Sequence, residues 1–120
     1  MTKLNQQLPI SVQTIHIGPV PVTSVAGEID MMTDDVVMGE LQDQLADAPD
    51  VLVIDLSKVE FMGSSGINVL IHGRAQASER GTRLVVVAPD DSFVDRVLTL
   101  AGVKQMFDLR ADLESAVRAG

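Results

Sequence analysis

Along this chain, hydrophobic and polar positions follow patterns that predict most of the secondary-structure elements. Ile10 to His16 and Val20 to Ala26 carry β-branched residues in near alternation, with Gly18 and Pro19 between them. They predict an antiparallel pair at the edge of a sheet, where Pro21 is tolerated because an edge strand has N–H groups that need no ladder partner. Gly27 to Asp30 is expected to leave the strand. Val37, Leu41 and Leu45 then recur at i, i+4 and i+8 behind Thr33, a good N-cap, and Asp34 and Asp35, whose charges suit a helix N-terminus. This spacing predicts an amphipathic helix from Thr33 to about Ala48, ending at Pro49.

Val51 to Asp55 is a continuous apolar run closed by one acid, the signature of a central strand covered on both faces. Val59 and Phe61 then alternate with Lys58 and Glu60 on a short extended stretch. Gly63, Ser64, Ser65 and Gly66 break the alternation, and a second helix opens there. Its buried side is expected from Ile67, Leu70, Ile71 and Ala75, with Gly66, Gly73 and Ala77 small enough for close approach to the sheet and Gly81 as its stop. Leu84 to Ala88 predicts another doubly buried strand. Asp90, Asp91 or Ser92 caps a third helix with Val94, Val97, Leu98 and Ala101 inward and Gly102 at its end. Gln105 to Asp108 is expected as a short strand, and Asp112 to about Ala119 as a closing helix.

The order β-β-α-β-α-β-α-β-α implies an α/β fold: a mostly parallel central sheet with right-handed crossovers, an antiparallel N-terminal edge hairpin and about four helices. The 120 residues fit a single domain, with residues 1–9 expected as a flexible tail. No internal repeat or low-complexity segment interrupts it. The absence of Cys excludes disulfide frameworks and thiolate metal sites. The N-terminus lacks the apolar block of a signal peptide and the apolar runs are too short to span a bilayer, so a cytoplasmic location without membrane contact is expected.

Composition changes the picture in two ways. The aromatic residues are three Phe, with no Tyr or Trp, so the core must be aliphatic and the stacking platforms of single-strand nucleic-acid binders are missing. The formal charge of −8 is also unevenly placed: residues 1–60 hold ten Asp/Glu against two Lys/Arg, and residues 61–120 hold seven of each. From Glu28 to Asp50 eight acids occur without a basic residue. Such a face repels phosphate backbones and acidic lipid, which argues against direct nucleic-acid or membrane binding. It reads first as a solvated helix face, and alternatively as a surface for a basic protein partner.

The functional edge of an open α/β sheet lies outside the carboxyl ends of its strands. Three turns are expected there: Gly27 to Thr33, Asp55 to Gly66, and Ala88 to Ser92. In the middle one Ser64 and Ser65 lie at a helix mouth between glycines. Unpaired N–H groups and positive potential there stabilise a phosphate carried on a serine by up to roughly 1–2 kcal/mol. A phosphate would add about −1.5 to −2 charge beside Glu28, Asp30 and Asp55. The bland alternative is that one serine is merely an N-cap.

Catalytic readings fare worse. The glycines are three apart, so this is no G-x-S-x-G elbow, and His72 lies two turns, roughly 10 Å, beyond Ser65. His16 reads as a bystander on an edge strand. Two isolated histidines without Cys predict no metal site, and no nucleotide-binding glycine motif is present, so neither an enzyme nor a cofactor is expected. Met31, Met32, Met38, Met62 and Met106 fit either core filling or a soft contact surface.

Val25 to Asp30, Val53 to Ile67, Gly81, and Val97 to Phe107, in this order and spacing, closely resemble the STAS domain of bacterial anti-sigma factor antagonists. The resemblance runs from about residue 10 to the C-terminus. It implies a small α/β regulator of transcription, in stress response among other settings, acting by partner switching. Unmodified, it binds an anti-sigma factor that is also a serine kinase and so frees a sigma factor; phosphorylated, it lets go, and a serine phosphatase restores it. The second serine of the family motif maps onto Ser65, the expected phosphoacceptor, with Ser64 the lesser candidate. Glu28, Asp30, Gly63, Ser64, Ser65, Gly66 and Ile67 are expected at the partner interface, with the helix from Gly66 to Arg80 supplying much of the docking surface. Members usually carry Asp before the two serines; Gly63 removes a charge and a helix-capping acceptor there. The alternative implied role is a stand-alone STAS subunit that binds the ATPase of a lipid-trafficking transporter.

Overall fold

The computed structural model describes residues 9–119. The expected tail, residues 1–9, lies outside them except for Pro9. Five strands form one sheet in sequence order: β1 (Ile10–Ile17), β2 (Val20–Ile29), β3 (Val51–Met62), β4 (Arg83–Val87) and β5 (Asp108–Arg110). β1 is antiparallel to β2 and every other pair is parallel. Four α-helices complete the α/β fold: α1 (Asp34–Leu45), α2 (Ser64–Glu79), α3 (Phe93–Leu100) and α4 (Leu113–Val117).

Each parallel strand is added on the same side of its predecessor, so right-handed crossovers place α1, α2 and α3 on one face of the sheet. That face holds the larger core: Val37, Leu41 and Leu45 of α1, Leu70 and Ala77 of α2, and Val94 and Leu98 of α3 against Leu52, Ile54 and Val86. The alternate residues Val51, Val53, Val85 and Val87 point to the other face, where α4 covers them with Ala116, Leu113 and Val117. The apolar runs in β3 and β4 are therefore buried on both faces, as their continuity predicts.

Several boundaries differ from the sequence reading. β2 is an interior strand that runs to Ile29. Its Pro21 is tolerated because the ladder to β3 starts one residue later, at Val22 opposite Val53, so no bond to β3 is lost. β3 is one strand of twelve residues. Two register shifts against β2, between Ser24 and Ala26 and between Gly27 and Glu28, carry it past the polar stretch. The Asp55 carboxylate stabilises the first shift by accepting from the Ser57 N–H at 3.0 Å.

α1 ends at Leu45, short of Ala48, whose φ is positive. In α2 the buried stripe is Gly66, Val69, Leu70, Gly73 and Ala77; Ile67 and Ile71 are half-buried and Ala75 is exposed. The small residues face the sheet, which rotates Ala75 outward. Ala101 is likewise exposed. A 3₁₀ turn (Lys104–Met106) occupies the first half of the stretch expected as a last strand, and β5 begins only at Asp108. Ser92 caps α3 by accepting from the Asp95 N–H, and Asp112 caps α4 by accepting from Ser115.

Candidate functional site

The carboxyl ends of β2 and β3 finish side by side. Glu28 lies opposite Phe61 and Ile29 opposite Met62, and the Gly63 N–H donates to the Ile29 carbonyl at 3.0 Å. This bond sets the start of α2 directly beside the turn that begins at Asp30. Glu28, Asp30 and Gly63 to Ile67 thus share one edge.

Gly63 is the N-cap residue of α2, and no side chain caps the helix. Ser64 and Ser65 occupy its first two positions, so neither serves as the N-cap that the bland alternative required. The Gly63 carbonyl accepts from the N–H groups of Gly66 at 3.0 Å and Ile67 at 3.3 Å. The Ser64 and Ser65 N–H groups have no carbonyl one turn back within the helix and sit at its positive end. Ser64 is exposed and Ser65 half-buried.

Gly66 is glycine for a steric reason. A Cβ there would lie 2.4 Å from Met62 Cγ and 3.1 Å from Ile29 Cγ2. The close approach seats the serine turn against both strand ends. On the other side, Gly27 (φ 106°) would place a Cβ 2.3 Å from the Pro9 carbonyl oxygen, which also accepts from the Glu28 N–H.

Ser65 faces a groove of about 290 Å³ between α1 and α2, lined by Asp34, Asp35, Met38, Asn68, Val69 and His72. Asp34 and Asp35 were legible as helix-terminal charges, but not as neighbours of Ser65; only the packing of α1 on α2 brings them together. His72 borders the same groove, two turns along. The Asp30 carboxylate instead accepts from the Met32 N–H at 2.8 Å. Thr33, fully buried, does not cap α1. Its hydroxyl donates to the Glu28 carbonyl at 2.7 Å and accepts from the Asp30 N–H at 2.9 Å, bracing the turn. Asp55 lies away from the edge. It pairs with Ser24 and Val87 inside the sheet, and six residues of β3 separate it from Met62.

Apolar groups on the elements that meet at this edge are exposed: Met31 (83%) and Met32 (74%) in the turn after β2, with Val36 of α1 and Phe61 of β3 partly so. Phe61 stacks obliquely on Phe93, ring centroids 5.9 Å apart, tying the start of α3 to the same edge. The methionines divide accordingly: Met62 is buried, Met38 and Met106 are half-buried, and the pair after Asp30 is presented to solvent. An exposed Met pair on the turn after β2 and a partly exposed Phe near the end of the adjoining β3 offer an adaptable contact surface. Among the described residues no three His, Asp or Glu are grouped to hold a metal ion, and no helix is long and apolar enough to cross a membrane.

The STAS_2 family model, described as "Mlab, STAS domain", matches residues 16–113. The anti-sigma-F factor antagonist RsfB of Mycobacterium tuberculosis is 36% identical over 111 residues, 90% of this chain and 87% of that protein. A crystal structure of an anti-sigma factor antagonist from Mycobacterium paratuberculosis is similar at a TM-score of 0.82 and 34% identity, covering 92% of each chain. SpoIIAA in its unphosphorylated form shares the fold, with a TM-score of 0.71 at 16% identity over 90% of this chain and 95% of that one.

Proposed function

Since this chain belongs to the STAS-domain family, with anti-sigma factor antagonists among its relatives, we propose that it binds an anti-sigma factor through the carboxyl edge of its sheet and that phosphorylation of Ser65 breaks the contact. The observation that carries this reading is the placement of Ser65 in the first turn of α2, half-buried in a groove whose α1 side carries Asp34 and Asp35. The helix N-terminus makes a phosphoserine tolerable to the fold, contributing roughly 1–2 kcal/mol at most. The two acids and the surrounding apolar groups make the same phosphate unwelcome to a docked partner. Adding about −1.5 to −2 charge to a partly desolvated interface costs a few kcal/mol, a loss of affinity of about 100-fold or more.

The partner in this reading is itself the serine kinase, and a serine phosphatase reverses the modification. Ser64, exposed one position earlier, is the lesser acceptor. The protein acts as a binding switch and catalyses nothing. Incubation with the kinase and ATP, read by intact mass, tests it: wild type gains one phosphate and Ser65→Ala gains none. A wild type that stays unmodified, or a Ser65→Ala that is modified equally, removes the switch.

Gly63 favours a second reading, a subunit that docks on the ATPase of a lipid-trafficking transporter, because it removes the acid that family members usually place beside the serines. Recovery of an ATPase with its membrane permease in a pull-down supports that reading; recovery of a serine kinase supports the first.

A further inference from the structure

From Leu4 to Gly27 the sequence has no Asp, Glu, Lys or Arg, although the whole chain carries −8. The described part of that stretch builds β1, the turn after it and most of β2. Among the described residues β1 is an outer strand of the sheet, and over eight residues its outer side presents backbone N–H and C=O groups that β2 does not use.

The two edges of the sheet differ. β5 is three residues long, and its Asp108 is clamped by Arg83 at 3.0 Å and Arg110 at 2.8 Å, so the edge is short and charged. Those are the usual means of blocking further strand addition. β1 has none of them: it contains no Lys or Pro, and its register with β2 is unbroken from Ile10 opposite Gly27 to Ile17 opposite Val20. On the face away from α1, Ile15 is 55% exposed and Ile17 38%. An apolar cleft of about 400 Å³ continues from Ile17 and Pro19 across Val20 and Val51 to Val117, with Asp50 on its rim. On the opposite face Glu40 binds the Thr14 hydroxyl and is further held by Gln44, so that carboxylate is already partnered.

We infer that β1 pairs antiparallel with β1 of a second copy of this chain, across a two-fold axis, joining two five-stranded sheets into one of ten. Two features select a second copy over another partner. A strand paired with itself about a two-fold axis is necessarily antiparallel, and residues of equal parity then share a face, so Ile15 and Ile17 of one copy lie with those of the other. Between two molecules of charge −8, repulsion is least where each presents its uncharged stretch. The functional edge stays free. Ile15 and Ile17 lie opposite Val22 and Val20, toward the amino end of β2, whereas Ser65 follows the carboxyl end of β3. The dimer therefore offers two such edges, and the inference stands whichever partner docks there.

Sedimentation equilibrium of the full chain over a concentration series tests this. The expected mass rises from 12.8 kDa to twice that value. Ile15→Lys, and independently Ile17→Lys, raise the dimer dissociation constant at least ~10-fold with unchanged far-UV circular dichroism. Leu100→Lys, a substitution of an equally apolar exposed residue on α3, leaves it unchanged. A mass of 12.8 kDa at every concentration overturns the inference, and so does a dimer that neither β1 substitution weakens.

Discussion

Gly63 has ordinary extended backbone angles, φ −86° and ψ −174°, and a Cβ built on it would meet only the Phe61 ring at contact distance, 3.5 Å. Neither conformation nor space requires glycine there. Gly63→Asp supplies the missing capping acceptor and a negative charge at the positive helix end, and is expected to stabilise the fold by a few tenths to about 1 kcal/mol in urea denaturation. An unchanged or lower midpoint contradicts that reading of the cap. Gly66 is the opposite case. Gly66→Ala gains helix propensity of about 1 kcal/mol but forces Met62 and Ile29 apart, and a net loss of roughly 1–2 kcal/mol is expected by the same measurement. At this scale the sequence was a good guide to which glycines abut the sheet and a poor one to orientation. Met31 and Met32 fit core filling or a contact surface equally by type, and Phe61 alternates in step with the buried Val59; their exposure follows from a strand end and a turn that hydrophobicity does not encode.

Among the elements, α1, β4 and the Val51 to Asp55 run of β3 are legible because each carries one uninterrupted pattern. The continuity of β3 to Met62 is not, since its register shifts against β2 interrupt the alternation and make one strand read as a strand followed by a separate short extended stretch. The 3₁₀ turn after α3 was hidden for a related reason: a tertiary clip holds it. Lys104 reaches the Asp95 carboxylate at 2.7 Å, and the Asp91 N–H donates to the other oxygen at 3.0 Å. The Lys104 hydrogen bond, followed by that of Asp91, holds the Asp95 carboxyl below its ordinary 3.8, while Asp95 raises Lys104 above its ordinary 10.5. The carboxylate contribution is complete above pH 3.8 and fades as pH falls through the lowered folded value; the ammonium contribution is complete below pH 10.5 and fades as pH rises through the raised one. The urea midpoint of wild type is therefore expected to fall more steeply on acidification below about pH 4 than that of Asp95→Asn. Asp108, lowered chiefly by Arg110 and then by Arg83, contributes equally to both proteins and cancels in the comparison. Identical acid limbs contradict the clip.

For the molecule as a whole, a sheet wound in one direction separates its surfaces. Three helices fill one face, α4 covers part of the other, and the strand ends carry the serine turn. The fold class followed from element order alone. The edge was also legible, but its neighbours were only partly so: Asp55 was placed there by sequence proximity and lies inside the sheet, whereas Asp34 and Asp35 arrive by helix packing. In the proposed switch, Asp34 and Asp35 beside Ser65 are what make one added phosphate decisive. The most direct test is the affinity of the anti-sigma factor for the protein with and without phosphate on Ser65, measured by calorimetry at fixed salt. The account predicts that the phosphorylated form binds at least about 100-fold more weakly while its thermal midpoint stays within a few degrees of wild type. Equal affinities for the two forms would contradict it.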